Sequence, residues 1–236
     1  MRMNKKTVLK LPFKNRVQAG RLLGQALSGY ANRRDVIVLA LPRGGVPVGF
    51  EVARIIDVPL DIMLVRKLGT PGQEELAMGA IASGGVCVLN SDIVAMLNIG
   101  KDDIDEAAAA ERQELDRRER SYRGRQPAPK IENCCAILVD DGLATGASML
   151  AAVSALRQRK PAAIVVAVPV APPETVQRLQ QEADEVICLA TPEPFSAVGY
   201  WYQDFPQTGD DEVKSLLAYA WARHAPTDLK AAKSHD

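Results

Sequence analysis

Short apolar runs alternate along the chain with longer segments in which apolar residues recur at the helical period. Continuous apolar runs of this length are typical of strands that are buried on both faces of a sheet. Strands are predicted at 35–41, 59–67, 135–141, 162–170 and 185–190. Helices are predicted at 15–30, 42–56, 102–120, 146–159, 172–183 and 210–223, the second of them after a turn. This alternation predicts an α/β fold with a central parallel sheet and helices on both faces.

Two parts of the chain interrupt the alternation. Short strands at 77–82 and 85–90 predict a hairpin, and the Gly- and Pro-rich segment 68–76 before them predicts a mobile loop. The charged helix 102–120 then separates the hairpin from the next strand. Its charges are typical of a solvated face, and a phosphate-binding role is the alternative. These charged residues include Glu111, Asp116, Arg117, Arg118 and Arg120.

The domain organisation predicted from these elements is a single domain over 1–236. A chain of 236 residues with 47% hydrophobic residues can bury a substantial core. The core covers about 30–190 and carries a helical insertion at 91–130. A small C-terminal hood at about 191–223 is predicted to pack with the N-terminal segment.

Charge and composition exclude several classes of function. Lys and Arg total 29, as do Asp and Glu, so we expect neither a nucleic-acid nor a membrane partner. The start lacks the apolar region of a secretory signal, and the longest apolar run is too short for a membrane span, so we expect a cytoplasmic protein. The four cysteines form no C-x-x-C pair, and the two histidines, His224 and His235, lie near the C-terminus. A histidine-based metal cluster or catalytic triad is therefore disfavoured.

The strongest chemical signal lies where the run at 135–139 ends in Asp140 and Asp141. Paired carboxylates can accept hydrogen bonds from a vicinal diol or hold a hydrated Mg²⁺. The small residues of 142–148 lead into a helix, whose free N–H groups and dipole form an anion site. A diol at one end and a phosphate at the other describe a ribose 5-phosphate. An ordinary strand-to-helix turn is the alternative.

This segment, four apolar residues followed by two acids and an "ATGxS" loop, resembles the 5-phosphoribosyl pyrophosphate (PRPP) loop of the type I phosphoribosyltransferases. The resemblance implies that Asp140 and Asp141 are catalytic and hold Mg²⁺, through water. It assigns the 5′-phosphate to the loop Leu143, Ala144, Thr145, Gly146, Ala147 and Ser148. The "LATG" form is similar to that of the adenine and uracil enzymes. Ala144 stands where the hypoxanthine and guanine enzymes usually carry an Asp, which argues against 6-oxopurine chemistry.

Two earlier segments also resemble parts of this family. Pro42–Gly45 is similar to the pyrophosphate loop, which implies that Arg43 and the N–H groups of Gly44 and Gly45 bind pyrophosphate. In the family the peptide before the basic residue is often a non-proline cis bond, here Pro42–Arg43. Segment 65–81 lies where the family has its flexible catalytic loop, with Arg66 on pyrophosphate and Lys67 as a catalytic residue. A plain turn and a solvated strand end are the respective alternatives.

The aromatic segment, residues 192–205, resembles the part of the family's hood that covers the base. The implied base-binding residues are Phe195, Val198, Trp201, Tyr202 and Asp204. A small aromatic core under the last helix is the alternative. A residue that deprotonates the base is the weakest part of the assignment, with Glu74, Glu75 and Asp204 as candidates.

Over nearly the whole chain, the sequence is most similar to a bacterial group of phosphoribosyltransferases without an assigned substrate. It therefore implies Mg²⁺-dependent transfer of 5-phosphoribosyl from PRPP to a nucleobase-like molecule in nucleotide salvage, by a homodimer. One rival is a PRPP- or nucleotide-binding sensor with the same fold and no transfer activity. The other is an enzyme that acts on a phosphorylated sugar without a nucleobase.

Overall fold

The protein forms two sheets in a computed structural model, which describes residues 9–224 without the side chains of Glu74 and Glu75. The strands are β1 (Val36–Ala40), β2 (Leu60–Ile62), β3 (Val65–Thr70), β4 (Gln73–Ala82), β5 (Val86–Leu89), β6 (Cys135–Val139), β7 (Ala163–Val170) and β8 (Glu185–Ala190). The helices are α1 (Arg16–Ala26), α2 (Gly45–Ile56), α3 (Ser91–Met96), α4 (Lys101–Arg123), α5 (Ala147–Gln158), α6 (Pro173–Glu182) and α7 (Asp210–His224). His235 lies outside the described residues.

The larger sheet is parallel throughout and has the order β2-β1-β6-β7-β8. Successive strand residues point to opposite faces, so its apolar strands feed two separate cores. On one face, Val38 of β1 and Ile137 of β6 pack with buried residues of α1, α2, α4 and α7. On the other face, Leu39 and Leu138 pack with buried residues of α5 and α6. The predicted parallel sheet with helices on both faces is confirmed.

The smaller sheet is antiparallel, with the order β3-β4-β5, and corrects two predictions. The single strand predicted at 59–67 is wrong, because β2 belongs to the parallel sheet and β3 to the antiparallel one. The mobile loop predicted at 68–76 is also wrong, since most of this segment pairs as β3 and β4 around a tight turn at 71–72. The predicted hairpin at Ser83–Gly85 is confirmed, and α3 was not predicted.

A third apolar cluster joins the N-terminal segment to the aromatic segment. Phe13 and Tyr202, both buried, lie at its centre. The backbone N–H of Phe13 donates to Trp201 O at 2.8 Å, and Gln203 N–H donates to Phe13 O at 2.8 Å. The N-terminal segment and the aromatic segment are therefore joined by backbone hydrogen bonds beside the carboxyl edge of the parallel sheet. Within the described residues, no helix is both long and apolar enough to cross a membrane.

Candidate functional site

Two adjacent carboxyl groups lie at the end of β6, the middle strand of the parallel sheet. The backbone N–H of Asp141 donates to Oδ1 of Asp140 at 2.8 Å. Burial raises the pKa of Asp140 well above its ordinary value, and the charge of Asp141 raises it further. Burial also raises the pKa of Asp141. Like charges this close resist simultaneous ionisation, so the pair readily retains a proton.

The loop Pro42–Gly45 passes directly beside these acids through its two glycines. A β-carbon placed on Gly44 would lie 2.0 Å from Oδ2 of Asp141, and one placed on Gly45 would lie 2.8 Å from Val139 O. Only glycine allows this approach. The Pro42–Arg43 peptide bond is cis, as the resemblance implied. The Gly45 N–H already donates to Leu41 O at 3.1 Å, which corrects the predicted arrangement in which both glycine N–H groups face pyrophosphate.

Hydrogen bonds to β7 and α6 hold the acidic loop, residues 140–148, whereas several of its side chains are exposed. The N–H of Leu143 donates to Val170 O at 2.9 Å, and Thr175 Oγ1 donates to Ala144 O at 2.7 Å. Gly146 has a φ of 71°, a left-handed conformation that favours glycine. Thr145, Ala147 and Ser148 are exposed at the start of α5, whereas the Leu143 side chain is buried. The exposed residues therefore surround a helix N-terminus, where an anion is stabilised.

The sequence did not predict the charged partner of Asp141, which is Arg16 at the start of α1. Arg16 Nε donates to Asp141 Oδ2 at 2.7 Å, and Arg16 Nη1 donates to Pro206 O at 2.6 Å. The guanidinium carbon lies 3.7 Å from the centre of the Phe205 ring. The side chain is only 11% exposed. Its charge lowers the pKa of Asp141 against the larger effect of burial.

The aromatic segment packs partly on the acidic loop and partly on itself. Tyr202 is 6% exposed, and its ring stacks on Phe205 with ring centres 4.8 Å apart. The Tyr202 hydroxyl donates to the backbone oxygen of Asp141 at 2.5 Å. This placement corrects the prediction that Tyr202 stacks on a base, since it supports the acidic loop instead. The other implied base contacts are placed differently. Val198 lies against Gly142, Phe195 and Trp201 are half-buried, and Asp204 is exposed.

A family description named phosphoribosyl transferase domain matches residues 14–204. The chain belongs to this family. A protein of Mycobacterium tuberculosis that is provisionally named as a phosphoribosyl transferase is 48% identical over 206 residues, which cover 87% of this chain. The match spans 46% of that relative, so the chain covers about half the length of the curated relatives that it matches. A solved structure, TT1426 from Thermus thermophilus, is 43% identical, has a TM-score of 0.79 and covers 88% of this chain and 98% of its own.

In this phosphoribosyl transferase domain, Arg66 and Lys67 lie on opposite faces of β3. Arg66 Nε contacts Glu111 Oε2 of α4 at 2.5 Å, whereas Lys67 lines a cavity of about 390 Å³ together with Ala147 and Ser148. Neighbouring strand residues diverge, so the two side chains do not point into one cavity in this structure. Lys67 thus stays beside the acidic loop, and Arg66 joins β3 to α4.

Proposed function

We propose that the chain transfers 5-phosphoribosyl from PRPP to a nitrogen of a base and releases pyrophosphate. The observation that carries the proposal is the meeting of Asp140, Asp141, Gly44 and an exposed helix N-terminus at one edge of the parallel sheet. Membership of the phosphoribosyl transferase domain family supports it. Because the chain spans only about half of its curated relatives, the activity of the whole protein is part of this proposal.

Each part of the site has a role in this reaction. Asp140 and Asp141 hold the ribose hydroxyls and stabilise the positive charge that develops at ribose C1. The exposed N-terminus of α5, with Thr145 and Ser148, binds the 5′-phosphate. The bond from C1 to the pyrophosphate oxygen breaks, a bond from C1 to the base nitrogen forms, and the proton of the base leaves. Lys67 and Arg43 supply positive charge for the departing pyrophosphate.

The donor set fits a hydrated Mg²⁺ that is shared with substrate. Within residues 9–224, and apart from the side chains at 74 and 75, no group of three or more His, Cys, Asp or Glu side chains could hold a metal ion. Mg²⁺ is usually bound by one or two carboxylates, waters and substrate phosphates, which matches two neighbouring acids. When bound, Mg²⁺ would neutralise charge on the leaving pyrophosphate. Because burial raises the pKa of both acids, Mg²⁺ affinity should increase with pH.

The aromatic segment supports binding of a flat ring. Phe195 and Trp201 lie with ring centres 6.1 Å apart, and Tyr200 is 75% exposed beside them. The buried Trp201 Nε1–H has no partner among the described residues. A pair of aromatic rings next to an exposed tyrosine fits a flat heterocycle better than a sugar alone. The predicted homodimer and cytoplasmic location remain predictions, and light scattering on the purified protein checks the first.

The test is ³¹P NMR of PRPP and Mg²⁺ with the protein, with and without a pool of purine, pyrimidine and pyridine bases. Pyrophosphate release that requires the pool supports transfer, and dividing the pool identifies the base. The double variant Asp140→Asn, Asp141→Asn should lose PRPP binding and turnover. Wild-type turnover and PRPP affinity in that variant would overturn the site assignment.

A sensor with the same fold is the second candidate, and the Arg16 contact favours it. In this structure Asp141 is already occupied by a buried guanidinium. PRPP binding without release of pyrophosphate, for every base in the pool, would identify a sensor and exclude the transfer reaction.

A further inference from the structure

A second cavity, of about 390 Å³, lies between the Pro42–Gly45 loop, the last turns of α4 and the start of α7. Unlike the cavity beside Lys67, its lining is charged or polar apart from Pro42. These polar residues are Arg43, Arg117, Arg118, Ser121, Tyr122 and Asp210. Asp140 and Asp141 do not line it, so it is distinct from the diol-binding acids described above.

Positive charge exceeds negative charge around this cavity. Three guanidinium groups line it against a single carboxylate, Asp210. Asp210 already accepts a hydrogen bond from the Tyr122 hydroxyl at 2.7 Å, and Arg43 lies 3.7 Å from it. Outside the lining, Glu114 pairs with Arg117 at 2.7 Å and with Arg118 at 2.8 Å. With Glu114 counted, one positive charge remains in excess.

The two arginines of α4 keep donors for a ligand despite their contact with Glu114. Their side chains are 65% and 44% exposed, and each guanidinium has five N–H donors in a planar fork. Arg117 already donates from Nε and Nη2 to Glu114, and Arg118 donates from Nε, so the N–H groups that remain on the two forks are the ones that bind phosphate oxygens. The hydroxyl of Ser121 adds a neutral donor in the same cavity.

We propose that α4 and Arg43 form a binding site for a diphosphate or polyphosphate anion. A ligand with several negative charges is required to occupy three guanidinium groups and to tolerate Asp210. The volume and the polar lining exclude an apolar ligand. The sequence left two interpretations of α4, a solvated charged face and a phosphate-binding role. The proposal favours the second, with phosphate bound by the last turns of the helix. Arg43 is shared with the pyrophosphate contacts of the proposed reaction, whereas the residues of α4 are additional to them.

Isothermal titration calorimetry with inorganic pyrophosphate, and then with tripolyphosphate, tests the site on the full chain without Mg²⁺. The double variant Arg117→Gln, Arg118→Gln should lose about a hundredfold in affinity, since about tenfold is expected for each charge-assisted contact. The matched control, Arg112→Gln with Arg120→Gln, removes the same charge from exposed positions of α4 that do not line the cavity. Its affinity should stay within about threefold of the wild type. Circular dichroism verifies that both variants fold.

A variant with the opposite expected effect makes the test two-sided. Asp210→Asn keeps an oxygen that accepts from Tyr122 but removes the negative charge, so it should bind pyrophosphate more tightly than the wild type. No binding by the wild type, equal losses in the double variant and its control, or an unchanged affinity of Asp210→Asn would each overturn the proposal.

The anion could be the pyrophosphate released in the proposed reaction or a separate ligand, and the same assay separates these sources. The Asp140→Asn, Asp141→Asn variant should keep pyrophosphate binding at this cavity even though it loses PRPP. Saturating PRPP should abolish pyrophosphate binding to the wild type if the anion is the leaving group. Binding that persists with PRPP present identifies a separate site. Failure of transfer in the NMR assay leaves this calorimetric result intact, so the two proposals fail independently.

Discussion

The Arg16→Ala substitution is the most direct test of how the acidic loop is held. It removes a guanidinium that is 11% exposed and contacts Asp141, Pro206 O and the face of Phe205. It leaves the Asp141 carboxylate, 14% exposed, next to Asp140 without a compensating charge. We therefore expect both a loss of stability and a change in the ionisation of the two acids.

The loss of stability can be worked from the contacts. Breaking a buried ion pair by removing one partner costs about 3–5 kcal/mol. The value should fall near 3 kcal/mol, because Asp141 can take up a proton instead of staying ionised. For a chain of this length, about 2–4 °C in Tm per kcal/mol gives a decrease of roughly 6–12 °C. Arg21→Ala is the control on the same helix, since Arg21 is 57% exposed and its contact with Glu51 is worth about 1 kcal/mol or less.

The pH dependence of this loss has a definite sign. Arg16 lowers the pKa of Asp141, so its removal raises the pKa of that acid further. A carboxyl group with a raised folded-state pKa loses stability as the pH rises through that value, because the folded protein resists ionisation. The deficit of Arg16→Ala should therefore increase with pH and be larger near pH 8 than near roughly pH 5.

Thermal unfolding at the two pH values and PRPP binding across the pH range are the measurements. The acid limb of PRPP binding should move to higher pH in Arg16→Ala, since the carboxylates take up protons earlier. Arg16→Lys keeps the positive charge but lacks the planar guanidinium, so it should move the acid limb of PRPP binding less than Arg16→Ala does. A Tm equal to that of Arg21→Ala at both pH values, together with an unmoved acid limb, would refute the reasoning.

Three further predictions concern the same framework. Gly44→Ala should abolish PRPP binding in calorimetry, because its β-carbon would lie 2.0 Å from the Asp141 carboxylate, whereas Gly29→Ala, with nothing within 4 Å, should bind normally. Tyr202→Phe should lower the free energy of unfolding by about 1 kcal/mol in urea denaturation, since it removes one hydrogen bond to the acidic loop. Burial raises the pKa of Asp61 to about 6, so the wild type should lose stability as the pH rises from about 4 to about 6. Denaturation of Asp61→Asn across that range should lack this loss.

Local patterns predicted most of the parallel sheet because each of its strands is a continuous apolar run next to a helix. They failed at 59–67, where the same kind of run continues from β2 of one sheet into β3 of the other. An apolar run predicts that a strand is buried, but it does not predict which strand it pairs with. Local patterns also did not show where Arg66 points. Side chains alternate between the two faces of β3, so Arg66 contacts Glu111 and points away from Lys67.

Arg16 could not be predicted from spacing, because it lies 125 residues from Asp141. One local signal was nevertheless present. Arg16 is the first residue of α1, where the helix dipole disfavours a cation and favours an acid. A cation at that position points to a partner elsewhere in the fold, and an alternation of strands and helices brings such partners to the carboxyl edge of the sheet.

The contacts on Asp141 imply that the two acids are not equivalent. Arg16 and Tyr202 both bind Asp141, and Gly44 passes against its carboxylate. Asp140 instead has burial and the charge of its neighbour, both of which raise its pKa. Two neighbouring acids whose environments shift their pKa values differently generally have different roles. Asp141 is the acid that the fold holds in place through Arg16 and Tyr202, whereas burial and the neighbouring charge oppose the ionisation of Asp140. In the proposed reaction we therefore expect Asp141 to position the substrate and the ionisation of Asp140 to limit the pH range of PRPP binding.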